Sequence, residues 1–109
     1  MPYDAIYRAE APERTDLDAG HGLLLLEFGA NWCGHCQAAQ PAIRTVLEAL
    51  PDLPHRKVED GPGRRLGRSY RVKRWPTLIF LRDGVEAGRV VRPTTVDEVS
   101  ALLAAATGR

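Results

Sequence analysis

Cysteine is scarce in this chain: Cys33 and Cys36 are the only two among 109 residues. So few thiols exclude the disulfide framework of a small secreted scaffold, and their C-x-x-C spacing points to redox or metal chemistry. A surplus of either charge is lacking too, with 15 basic side chains against 14 acidic ones. That balance argues against a global attraction to nucleic acid or to a membrane surface. No apolar stretch approaches the roughly eighteen residues of a membrane-spanning helix. The opening residues, MPYDAIYRAEAPERTD, have neither the basic start nor the apolar core of a signal peptide. Together with the cysteine usage, this sets the expectation of a cytoplasmic protein. Internal repeats, low-complexity segments and linkers are also missing, so residues 1–109 are expected to form one domain. A chain of that length can bury a single core without metals or multiple disulfides.

What is present is organised around the stretch from Leu23 to Pro41, LLLLEFGANWCGHCQAAQP. The run Leu23 to Phe28 is too short for a buried helix and lacks polar alternation, the pattern of a strand covered on both faces. Gly29, Ala30 and Asn31 break that run. From Cys36 onward, Ala39, Ile43, Val46, Leu47 and Leu50 recur at three- and four-residue spacing, forming one stripe of an amphipathic helix. The cysteines therefore lie where a strand hands over to a helix, at the sheet edge where open α/β folds carry their sites. On the first turn of a helix, a C-x-x-C pair brings two sulfurs within bonding reach. The first sulfur lies near unpaired N–H groups and the positive end of the helix dipole, where a thiolate is favoured. His35 lies on the same turn and adds to that field when protonated, which favours the reduced pair.

The string Trp32-Cys33-Gly34-His35-Cys36 resembles the active site of the thioredoxin superfamily, with the Gly-His pair found in the catalytic domains of protein disulfide isomerases. Three further features stand in register with it. Glu27, six residues before Cys33, occupies the place of the family's buried carboxylate, and Pro41, five after Cys36, that of its helix proline. Trp75-Pro76-Thr77, followed by the apolar run Leu78 to Leu81 and the turn Asp83-Gly84, is similar to the family's cis-proline loop and next strand. The resemblance runs from about Leu23 to Ala106. It implies an α/β thioredoxin-like fold, a central mixed sheet of four to five strands flanked by helices.

It also implies thiol–disulfide exchange with protein thiols and disulfides. In that reaction Cys33 attacks, Cys36 resolves the mixed disulfide, Glu27 carries the proton of Cys36 and Lys57 lies near that carboxylate. Trp32, Gly34, Trp75 and Pro76 are the implied substrate-binding positions. No bound cofactor is implied beyond the redox pair itself, which a separate reductase or oxidant resets, and the chain is expected to act as a monomer. Two other readings compete: a disulfide isomerase or oxidase, favoured by the Gly-His pair, and a non-catalytic binding module that holds a partner in the groove.

Each candidate has a plainer alternative. The cysteines could form half of a zinc site with His21, His35 or His55, but the second paired motif such a site needs is missing. A c-type haem needs histidine directly after Cys36, where Gln37 stands. Glu27 in an apolar strand either reaches water at an edge or is buried; on the second reading burial is expected to raise its pKa. Lys57 could be a surface lysine, and Trp75 could be buried under the following helix. Two positions depart from the family. Trp75 is larger than usual before the proline, and Val91-Arg92-Pro93 lacks the glycine that lets a substrate strand approach. The cluster Arg64, Arg65, Arg68, Arg71, Lys73 and Arg74 contains no acid; it is either a solvated face or an attraction for acidic protein partners.

Elsewhere, Tyr3, Ile6 and Tyr7 suggest a short edge strand and Pro12 to Asp18 a short helix. A strand is expected over His55 to Glu59 and a short helix over Arg64 to Arg71, with Leu66 and Tyr70 apolar. Thr77 to Leu81 and Val85 to Val91 read as a hairpin joined through Asp83-Gly84. A last helix begins at Thr95, capped by a box with Glu98.

Overall fold

The computed structural model describes residues 3–107. Four strands form one mixed sheet in the order β2-β1-β3-β4: β1 is Leu23–Gly29, β2 His55–Glu59, β3 Thr77–Arg82 and β4 Val85–Val91. β1 pairs parallel to β2 and antiparallel to β3, so the apolar run sits at the centre as its patterning requires. The β3–β4 hairpin turns through Asp83 and Gly84, whose φ values of 51° and 80° suit the right-handed twist of the flanking strands.

Alternation along β1 divides the core in two. Leu25 joins Ile43, Leu47, Leu78, Phe80, Val99 and Leu103 beneath α2 (Gly34–Glu48) and α4 (Val96–Ala106). Leu26 and Phe28 face the other way and meet Val58, Leu66, Tyr70, Ile79 and Leu81. On that side lie α1 (Arg14–Asp18), which contributes Leu17, and α3 (Arg65–Ser69), which contributes Leu66. Glu27 therefore faces α2, two residues along from Leu25. The Thr95 and Glu98 side chains form the expected capping box at the start of α4.

Several boundaries differ from the sequence expectation. The cysteine helix begins at Gly34, with Cys33 as its N-cap. α1 is limited to Arg14–Asp18, and α3 stops at Ser69 because Arg71 turns left-handed, with φ 59°. The edge strand expected over Tyr3 to Tyr7 does not form. Asn31 holds Tyr7 like a paired strand, accepting from its N–H at 2.8 Å and donating to its carbonyl at 3.1 Å. Among the described residues Arg8 alone bridges to β2, at Val58; Ile6, the next residue whose backbone would face β2, gives its N–H to the Asp4 carboxylate at 3.2 Å instead.

Candidate functional site

Cys33 leaves the sheet edge in extended geometry and caps α2. Its sulfur accepts the Cys36 N–H at 3.3 Å, the contact through which a helix N-terminus stabilises a thiolate. Both cysteines are free thiols. Cys33 keeps 7% of its surface exposed and Cys36 only 1%, so the first sulfur is the one a partner can approach. Burial, followed by the hydrogen bond with Cys33, pushes the Cys36 thiol up to about 12. The two sulfurs are thus chemically unequal.

Around them stand the two indoles. Trp32 is 74% exposed and meets Trp75 edge-on, with ring centroids 5.6 Å apart. Trp75 is half-buried and packs against the cluster of Tyr7, Ala30, Cys33 and Cys36, rather than under the following helix. Its Nε1 donates to Asp60 at 2.8 Å. The Trp75–Pro76 peptide is cis, as the family loop implies. Arg92, within the Val91-Arg92-Pro93 stretch, has a left-handed φ of 54° and donates from Nε to the Trp75 carbonyl at 2.9 Å. Gly34 and His35 are exposed on the first helical turn.

Behind Cys36 lies a buried polar cluster. Glu27 is fully buried and accepts three donors: the Tyr7 hydroxyl and Gln40 Nε2 (2.9 Å) on Oε2, and His55 Nε2 (2.8 Å) on Oε1. His55 Nδ1 accepts the Asp4 N–H at 3.0 Å, which places the ring proton on Nε2 and makes this imidazole a donor to Glu27. Lys57, directly across the parallel pair from Glu27, is also buried. Its ammonium donates to the Ala5 carbonyl at 3.1 Å and to Gln40 Oε1 at 2.8 Å, and lies 4.2 Å from the Tyr7 ring centroid. Gln40 therefore bridges the lysine and the carboxylate.

This arrangement corrects the expected titration of Glu27. Burial is the largest influence and acts to raise its pKa, but His55, Lys57 and Tyr7 together outweigh it and hold the carboxyl below the ordinary glutamate range. Burial lowers the Lys57 pKa, with Glu27 opposing. Sequence reasoning missed Tyr7, Gln40 and His55 as site residues. Gln40 alone left a local signal, being one helical turn beyond Cys36 and on its face. The histidines do not gather around the cysteines, and among the described residues no group of three or more His, Cys, Asp or Glu could hold a metal ion. Nor is any described helix long and apolar enough to cross a membrane.

Arg68, Arg71 and Lys73 line a concavity of about 720 Å³ with Asp60 and Trp75. Arg64 shares it and pairs with Glu59 at 3.1 Å.

Known proteins resemble this chain in sequence and fold. Thioredoxin 2 from Pseudomonas aeruginosa PAO1 in its reduced form superposes with a TM-score of 0.85 and 52% identity, over 98% of this chain and 100% of that one. A thioredoxin of Chlamydia pneumoniae is 34% identical over 79 residues, 72% of this chain and 78% of that protein. Protein disulfide-isomerase A3 of Gallus gallus is 33% identical over 97 residues, 88% of this chain but 19% of that longer protein. The family model for thioredoxin matches residues 9–105, and with the paired cysteines at the sheet edge and the mixed four-stranded sheet behind them, the chain belongs to the thioredoxin family of thiol–disulfide oxidoreductases.

Proposed function

We propose that this oxidoreductase uses Cys33 as the attacking sulfur and Cys36 as the resolving one, with Glu27 receiving the proton of Cys36. The observation that carries the assignment is the inequality of the two thiols. Cys33 is the more exposed and accepts the Cys36 N–H, while burial keeps Cys36 protonated. In the reducing direction the Cys33 thiolate attacks a substrate disulfide, one substrate thiol departs, and Cys36 then displaces the second from Cys33. The chain's dithiol becomes a disulfide and the substrate gains two electrons. His35 tunes the pair from the exposed first turn, and Lys57 holds the carboxylate's surroundings through Gln40.

Trp32, Gly34, Trp75 and Pro76 form the platform on which the substrate rests. The neighbouring concavity, with three basic side chains and one acid besides the paired Arg64, favours acidic segments of partner proteins. The domain acts as a monomer over residues 1–109, in the cytoplasm, without a bound cofactor, and a separate protein resets its redox state. A disulfide isomerase or oxidase role is the second reading, supported by the Gly34-His35 pair and the likeness to protein disulfide-isomerase A3.

Serine substitution tests the assignment. Cys33→Ser is expected to return insulin reduction by dithiothreitol to its uncatalysed rate, and Cys36→Ser to accumulate substrate adducts on Cys33 visible by mass spectrometry. Adducts on the Cys33→Ser protein would reverse the two roles, and wild-type activity no faster than the uncatalysed rate would leave a binding module. Equilibration with glutathione separates a reductant from an oxidant.

A further inference from the structure

For Cys36 to attack, its proton must leave, yet Glu27 makes no hydrogen bond to that sulfur; its three donors are Tyr7, Gln40 and His55. His55 offers no route, because Nε2 faces Glu27 Oε1 and Nδ1 is engaged by Asp4. Lys57, an ammonium that donates to Ala5 and Gln40, has no lone pair to take a proton. What lies between the sulfur and the carboxylate is the Tyr7 side chain. A Cβ placed on Gly29 would stand 2.6 Å from Cys36 Sγ and 2.8 Å from the Tyr7 hydroxyl oxygen. Any side chain at position 29 would fill the space these two atoms share, and glycine leaves it to them. The same hydroxyl donates to Glu27 Oε2.

We propose that the Tyr7 hydroxyl relays the proton of Cys36 to Glu27, making Tyr7 the proton carrier of the resolving step. The inference rests on the roles given above to Cys33, Cys36 and Glu27. As Cys36 Sγ bonds to Cys33 Sγ, the bond from Cys33 to the substrate sulfur breaks and that sulfur leaves with the electron pair. The Cys36 proton passes to the Tyr7 oxygen while the Tyr7 hydroxyl proton passes to Glu27 Oε2. Tyr7 ends as a neutral phenol and Glu27 as a neutral acid, and when the pair is reset by reduction the same proton returns through Tyr7 to Cys36. The transfer accompanies bond formation, when the thiol proton becomes acidic, so no free Cys36 thiolate has to form in the apolar site.

The hydrogen-bond inventory survives this change. The Tyr7–Glu27 bond persists with donor and acceptor exchanged. Gln40 Nε2, which also donates to Oε2, keeps the Cys36 carbonyl as a partner at 2.9 Å. Burial, followed by the charge of Glu27, raises the Tyr7 pKa, so the phenol stays protonated between turnovers. The Tyr7 hydroxyl also acts on the Cys36 thiol, pulling its pKa down against the larger effect of burial.

Tyr7→Phe keeps the ring and removes the relay. Acid-quenched single turnovers with a disulfide peptide, read by mass spectrometry, separate formation of the Cys33 adduct from its decay. The titratable groups around the transfer are Glu27 on β1, His55 and Lys57 on β2, Cys33 and Cys36 at the start of α2, and Tyr3, Asp4 and Tyr7 from the N-terminal segment. We expect adduct formation to be unchanged in Tyr7→Phe and adduct decay to slow by about a hundredfold near neutral pH, the lower range for general-base assistance. The deficit closes as pH rises and hydroxide takes the proton directly. Glu27→Gln should slow decay similarly, and the double variant no further.

A hydroxyl that served only packing would slow both steps alike, or at all pH values alike, and either result overturns the relay. If Glu27→Gln slows decay and Tyr7→Phe does not, the relay fails while the role of Glu27 stands. If neither does, both fall. Should Tyr7→Phe not fold, the dependence of wild-type decay on the deuterium fraction of the solvent decides: a curved plot marks two protons in flight, and a straight one refutes the proposal.

Discussion

Replacing Glu27 with alanine is expected to destabilise the fold, although removing a buried carboxylate ordinarily relieves a desolvation cost. The difference lies in what the carboxylate satisfies. Of its three donors, Gln40 Nε2 retains the Cys36 carbonyl, but the Tyr7 hydroxyl and His55 Nε2 lose their partner. Each buried donor left unpaired costs about 1–3 kcal/mol. The buried Lys57 ammonium also loses its nearby negative charge, and breaking one side of a buried charge cluster costs about 3–5 kcal/mol in total. We therefore expect Glu27→Ala to lose about 3–5 kcal/mol near pH 7.

The pH dependence of that loss has a fixed sign. Glu27 titrates below its ordinary range in the folded protein, so its stabilisation is fully present above about 4.3, the unfolded glutamate value. It disappears as pH falls through the folded value. Urea unfolding followed by circular dichroism should show a wide gap between wild type and Glu27→Ala near neutrality, narrowing in acid. A variant as stable as wild type near pH 7, or a gap independent of pH, would refute the reasoning.

Three other perturbations probe separate parts of the site. His35→Gln should move the reduction potential toward reducing values by about 10–20 mV, since it removes the imidazole beside the helix N-terminus; glutathione equilibration should show the shift shrinking as salt is raised, and a shift independent of salt would point away from charge. Arg68→Glu combined with Arg71→Glu should raise KM for an acidic disulfide peptide by about tenfold while sparing a neutral one, with the effect fading in salt; equal changes for both peptides would leave the concavity without a role in selection. Gly29→Ala would put a Cβ 2.6 Å from Cys36 Sγ and 2.7 Å from the Tyr7 ring, and should cost about 1–3 kcal/mol in thermal unfolding. An unchanged midpoint would mean that Tyr7 yields its place freely.

The features legible in the sequence were those written within a few residues of one another. The apolar run of β1, the stripe of α2, the Asp83-Gly84 turn and the Thr95–Glu98 box each depend on local spacing, and each formed where expected, except that α2 ends at Glu48 and leaves Leu50 exposed beyond the stripe. The cysteine pair was equally plain, because the chemistry lies in two residues of one helical turn. The cis Trp75–Pro76 bond followed from family resemblance, which composition alone would not supply.

Tertiary structure decided what required distant segments to meet. Parallel pairing of β1 with β2 sets Lys57 opposite Glu27, and the chain before α1 brings Tyr7 under Gly29. No local pattern encodes either meeting. The burial of Glu27 could be read from its neighbours in the strand, whereas the direction of its titration could not. That direction depends on Tyr7 from the N-terminal segment and on His55 and Lys57 from β2, which converge on Glu27 only in the folded chain. The N-terminal strand was misread because apolar spacing suggested a ladder, whereas Ile6, the next residue to face β2 before Arg8, gives its N–H to the Asp4 carboxylate, and Asn31 holds Tyr7 on the side away from β2.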